Sequence, residues 1–96
     1  MGEDWCILVT GGDRPHFGAV GWSGGGEAPF SIDLPQHRDS AVVDIFLAAL
    51  HKLPGRHLIA AGVHVDGISR VEIEAILEDC RIRATQLAAE LLGEEQ

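Results

Sequence analysis

Leu58-Ile59-Ala60-Ala61-Gly62-Val63-His64-Val65 decides how the chain is arranged. Its apolar residues fall on both alternating faces, the pattern of a strand in the middle of a sheet and covered on both sides. Asp66-Gly67 turns the chain out of it. Ser69 and Glu72 then form a capping box, in which the hydroxyl and the carboxylate each accept a backbone N–H at the start of a helix. That helix is expected from about Arg70 to Leu92, because Ile73, Ile76, Leu77, Cys80, Ala84, Leu87, Ala88 and Leu91 keep to one stripe. At ~1.5 Å per residue it is about 34 Å long, enough for its far end to project and pack on a partner. Gly93 is placed as its C-terminal cap, and Glu94-Glu95-Gln96 as an acidic tail.

Working back from the same strand, Pro54-Gly55 ends a helix expected from Ser40 to Leu53, with Asp39 or Ser40 as its cap. Val42, Ile45, Phe46, Ala49, Leu50 and Leu53 share one face, and Val43 and Leu47 widen it, so much of this helix is covered. Phe30-Ser31-Ile32-Asp33-Leu34 alternates apolar and polar residues as a half-exposed strand does, and Pro29 puts it at a sheet edge or a strand end. Trp5 to Thr10 and Phe17 to Trp22 are further strands. Ser23-Gly24-Gly25-Gly26-Glu27 reads as a hairpin tip. With neither linker nor repeat, residues 1–96 are expected to form a single domain.

At 96 residues the core is real but modest. A 46% hydrophobic content with only three Phe and two Trp is rich in aliphatic surface for such a size, which favours a homodimer. Seven Lys and Arg against fifteen Asp and Glu give a net charge of -8, which repels a phosphate backbone, so no nucleic-acid partner is expected. The basic residues are scattered, so an anion site must be made from one or two arginines and backbone N–H groups. Cys6 and Cys80 form no Cys-x-x-Cys pair and read as buried free thiols of a cytoplasmic protein. No apolar run approaches the ~20 residues of a membrane span, and Met1-Gly2-Glu3-Asp4 lacks the basic region of a signal peptide.

Chemistry-bearing residues gather in Thr10-Gly11-Gly12-Asp13-Arg14-Pro15-His16-Phe17-Gly18-Ala19-Val20. Consecutive N–H groups in a glycine turn make an anion nest and a guanidinium clamps phosphate bidentately, so Gly11, Gly12 and Arg14 point to anion capture. The turn has neither the Gly-Lys-Ser of a nucleotide hydrolase nor a dinucleotide fingerprint. Histidines stand where strands meet turns at His16, at His37 in Gln36-His37-Arg38-Asp39, and at His64 in His64-Val65-Asp66. Strand ends of this kind often line a crevice. A metal site from these three is chemically possible, but the spacings are long and no i, i+4 pair supports it. No serine sits in a nucleophile elbow and neither cysteine adjoins a histidine, so a hydrolytic triad is not indicated. His51 and His57 read as structural, and Glu72, Glu74, Glu78 and Asp79 as a solvated face.

Taken in order and spacing, the segments Thr10 to Val20, Leu34-Pro35-Gln36-His37-Arg38-Asp39 and Gly62-Val63-His64-Val65-Asp66 resemble the LpdD-like small D subunit associated with gallate-type hydroxyarylic acid decarboxylases. The resemblance runs from Trp5 to about Leu92, and three motifs in register are far more specific than one. Gln36, Arg38 and Asp39 depart from the pattern, which has Gly, Lys and Glu there. The resemblance implies a non-catalytic chaperone that binds reduced prenylated flavin mononucleotide (FMN) and helps load it into UbiD-type decarboxylases. It also implies an α+β fold similar to the proteasome assembly chaperone type, an antiparallel-rich sheet with two helices, forming dimers. The expected cofactor-binding residues are Gly11, Gly12, Asp13, Arg14, His16, His37, Arg38, His64 and Asp66, with no catalytic and no metal-binding residue. Gly12, Arg14 and Arg38 are assigned to the phosphate, the three histidines to polar contacts with the ring, and Phe17, Trp22, Val63 and Val65 to an apolar slot. Two other roles fit the same residues: a small metal-dependent enzyme acting on an aromatic acid, and an assembly subunit that touches only the decarboxylase.

Overall fold

The computed structural model describes residues 4–12, 16–24, 27–35, 39–65 and 67–93. The chain runs β1 (Trp5–Gly12), β2 (Ala19–Gly24), β3 (Glu27–Asp33), α1 (Ser40–Ala49), β4 (Arg56–His64) and α2 (Arg70–Gly93). The sheet order is β1-β4-β2-β3. The strand centred on Ile59 to Val63 is indeed internal: β4 pairs parallel with β1 from Trp5↔His57 to Gly12↔His64, and antiparallel with β2. β2 and β3 form an antiparallel hairpin. The architecture is therefore α+β, antiparallel in all but one pairing among the described strands, with Pro29 on an edge strand as its missing N–H requires.

One expectation for β4 is corrected. Ile59 and Ala61 are fully buried, but Leu58, between them and His57, is 42% exposed. Both helices cover the same face. α1 packs on β2, β3 and β4, and α2 packs on α1, with Cys80, Ala84 and Ala88 joining a core that Trp5, Ile7 and Val9 of β1 close from the side. Two helices suffice to cover one face of four strands, so the apolar residues on the alternate positions are left open. Cys6 falls on that open face because its neighbours Trp5 and Ile7 turn inward. It is exposed, contrary to the expectation of two buried thiols. Cys80 is buried, and burial, followed by the neighbouring Asp79 carboxylate, raises its thiol pKa above the ordinary range.

The start of α1 is held by a residue more distant in sequence than expected. Asp39 occupies the cap position without a side-chain bond to the helix. Instead Asp33, the last residue of β3, accepts the Ser40 backbone N–H at 2.8 Å and the Ser40 hydroxyl at 3.1 Å. A second tie joins the same pair of elements, the Ser31 hydroxyl donating to Asp44 at 2.7 Å. The helix ends at Ala49 rather than Leu53, yet Leu50 and Leu53 stay in the core on the turns that follow. Gly55, at φ +86°, carries the chain into β4.

The capping box of α2 is present as expected. Glu72 N–H donates to Ser69 Oγ at 3.2 Å and Ser69 N–H to Glu72 Oε1 at 3.1 Å. Gly93 is the last residue of the helix but is not among the left-handed glycines, so it does not make the expected cap. The apolar stripe holds from Ile76 onward, whereas Ile73 in the first turn is exposed. His57 is an internal residue, 1% exposed, with Ser23 Oγ 3.3 Å from its Nδ1 and no partner for Nε2 among the described residues.

Because the α1 cap is supplied across the β3–α1 junction, Asp33→Ala is expected to lower stability by about 1 kcal/mol. Asp33→Asn, which keeps an acceptor, should lose less. Chemical denaturation monitored by circular dichroism checks both, and an unchanged midpoint for Asp33→Ala contradicts the role.

Candidate functional site

The C-terminal ends of β1 and β4 lie side by side, so the glycine turn and the His64 segment leave the sheet together. Gly11 pairs with Val63 and Gly12 with His64. Gly12 adopts φ +88°, and a Cβ there would run into the His64 backbone, so this position requires glycine on both counts. The returning chain is laid over the end of β4. Gly18 N–H donates to the Ala61 carbonyl at 2.8 Å, and a Cβ on Gly62 would occupy the place of the His16 carbonyl. This close approach sets the rings of His16 and His64 edge to face, with centroids 5.2 Å apart.

The third segment enters at the same corner. Leu34 N–H donates to the Gly18 carbonyl at 2.7 Å, and Asp39 lines a cleft with His64. The three segments singled out in the sequence thus meet at one end of the sheet. Of the expected binding residues, the structure brings together Gly11, Gly12, His16 and His64. Asp13, Arg14, His37, Arg38 and Asp66 lie outside the described residues. Among the described residues no group of three His, Cys, Asp or Glu side chains gathers as a metal site would require.

Two clefts open beside this corner. One, of about 350 Å³, lies between the start of α1, the end of β4 and the start of α2, and is walled by Val42, Val63, Val65, Ile73, Ile76 and Leu77. The other, of about 470 Å³, lies between the end of β1 and α2 and holds Gly11 and Gly12 together with Arg83. They share Val63, Val65 and Ile76, so they form one apolar trough with polar rims. Val63 and Val65 line this trough, whereas Trp22 lines a separate cleft of about 430 Å³ with Asp4, Cys6 and Arg56. Trp22 pairs with Leu58 near the start of β4, six residues and roughly 20 Å from His64, where it stacks on Phe30 with centroids 4.8 Å apart. Phe17 stays at the site corner but is exposed.

Arg83 is the residue that reading the sequence missed. Its Nε donates to Asp79 at 2.8 Å, one helical turn away, in a solvent-exposed ion pair at the cleft, and this hydrogen bond followed by the Asp79 charge raises its pKa. The signal was its position next to Ala84, at the border of the apolar stripe, where a long side chain reaches around the helix.

Replacing Gly62 forces the His16 to Gly18 segment off the strand. Gly62→Ala is expected to destabilise the protein by about 1–3 kcal/mol and to separate the two imidazoles. A lower denaturation midpoint together with shifted His16 and His64 ring resonances checks this; an unperturbed spectrum contradicts the packing.

The model of the "Prenylated flavin chaperone LpdD-like domain" matches residues 1–92. Protein LpdD of Lactiplantibacillus plantarum is 31% identical over 81 residues, covering 78% of this chain and 60% of that protein. The chain thus spans about three fifths of the length of this relative. With the match running through the glycine turn, both histidine segments and nearly all of α2, the chain belongs to the LpdD-like family of prenylated flavin chaperones.

Proposed function

We propose that the chain binds reduced prenylated FMN as cargo and assists its delivery to a UbiD-type hydroxyarylic acid decarboxylase in the cytoplasm, taking no part in the chemistry itself. The observation that carries this reading is the meeting of the three segments at one end of the sheet, with paired imidazoles beside an apolar trough. A flavin mononucleotide has one phosphate and a large planar ring system, so it needs an anion nest, a cation and an apolar wall with a few polar groups. The described residues supply the apolar wall and a cation paired with Asp79, while Gly11 and Gly12 are paired strand residues at the end of β1 and not a nest by themselves. Gly11, Gly12 and Arg83 stand on the rim of the trough, Val63, Val65 and Ile76 wall it, and His64 adjoins it. Arg14 and Arg38 are the further cations assigned to the phosphate, and His16 and His37 the further polar contacts to the ring.

A carrier must release what it holds. An open trough at a sheet end suits this better than an enclosed cavity, because cargo can leave without unfolding any element. The apolar surface left outside the core favours a homodimer as the carrying unit.

Anaerobic titration with reduced prenylated FMN and with plain reduced FMN, read by optical spectra, tests the cargo. Binding of the prenylated form is expected, and failure of both removes the reading. Arg14→Ala should weaken binding by at least about tenfold, since a charge-assisted contact contributes roughly 1.5–3 kcal/mol; a change within about twofold removes Arg14 from the phosphate site. Loaded protein should activate apo-decarboxylase faster than the same concentration of free cofactor, and equal rates contradict delivery.

A further inference from the structure

The face of the sheet turned away from the helices is apolar across all four strands. Register aligns Cys6, Leu58, Trp22 and Phe30 in one row and Leu8, Ala60, Val20 and Ile32 in the next. Exposure of the large residues runs from 42% at Leu58 and Trp22 to 64% at Leu8. No Asp, Glu, Lys or Arg stands in either row.

We infer that this open sheet face is where two copies of the chain pack together, face to face. The inference rests on the homodimer reading above and names the surface that makes it. Two features select a second copy as the occupant. First, the chain carries a net charge of -8, so two copies repel wherever their charged surfaces meet. The two rows let them approach with no carboxylate between them, Asp4 standing at the margin beside Arg56. Second, the area is right. At ~150–250 Å² for a large side chain, the open parts of Leu8, Trp22, Phe30, Ile32 and Leu58 amount to on the order of 500 Å² per chain. Two faces bring together roughly 1,000 Å², the size a biological interface must reach, while the value for one chain lies in the upper part of what a monomer leaves open.

An isologous contact also explains the composition of β4. Its outward Leu58 and Ala60 are as apolar as its inward Ile59 and Ala61 because both sides of the strand are to be covered, one by the helices and one by the partner's sheet. Edge-to-edge pairing uses different groups. The β3 edge carries Pro29, which has no N–H to offer, and a β1 edge contact would leave the face open.

Sedimentation of the full chain over a dilution series, with anaerobic flavin titration in parallel, tests this. Leu8→Glu and Ile32→Glu, on opposite edge strands and already solvent-exposed, should each keep the circular dichroism spectrum and raise the dimer dissociation constant by at least about a hundredfold. Val71→Glu, on exposed α2 surface, should leave it unchanged. In the wild type, alkylation of Cys6 should be slow at high concentration and quicken on dilution, while Cys80 stays unreactive. Persistence of the dimer in both face variants, loss of it in Val71→Glu, or a Cys6 rate independent of concentration overturns the face assignment and leaves the homodimer standing. A wild-type monomer at every concentration overturns both, with the titration still reading the cargo separately. A monomer whose Ile32→Glu variant loses affinity for the decarboxylase overturns the proposal in favour of an enzyme-docking face.

Discussion

Every part of the molecule is built on the double pairing of β4, parallel to β1 on one side and antiparallel to β2 on the other. A parallel neighbour cannot be reached by a tight turn, so the β2–β3 hairpin and α1 must intervene between the two strands. This places the C-terminal ends of β1 and β4 at the same edge of the sheet. The glycine turn and the His64 segment are brought together by that constraint alone, although more than fifty residues of chain separate Gly12 from His64.

The second constraint is geometric. Both helices pack on one face, joined by the small residues Cys80, Ala84 and Ala88 of α2, which let it approach α1 closely. One face of the sheet becomes core and the other stays open, and the two sides acquire separate tasks. The trough on the helical side is walled by Val63, Val65 and Ile76, where strand ends and helix starts fail to close over one another. The open side presents two apolar rows, with Asp4 and Arg56 at their margin in a cleft of about 430 Å³.

Apart from the buried Ser23–His57 contact, the polar ties among the described residues discussed above act at the junctions between elements. Asp33 joins β3 to α1, Ser69 and Glu72 start α2, and the Gly18 to Ala61 and Leu34 to Gly18 backbone bonds seat the returning chain on the sheet end. Each satisfies backbone groups that a short loop would otherwise leave without partners. The site corner is thereby held by backbone geometry, with Gly62 permitting the approach and Gly12 the left-handed turn.

Much of this was legible in the residues themselves. The apolar run from Leu58 to Val65 determined an internal strand and the Ser69–Glu72 box the start of α2, because periodicity and capping are local properties, whereas the meeting of the three polar segments at one corner was decided by the pairing of β1 with β4. Other features depend on how elements pack, which no local pattern carries. Two-sided apolarity in β4 looked like burial on both faces, and only the placement of both helices on one side revealed that half of it is open. Cys6 and Trp22 went to that open face by alternation and register, not by any property of their own. Asp33 became a cap, and Arg83 a neighbour of the glycine turn, because tertiary packing brought together residues that sequence keeps apart.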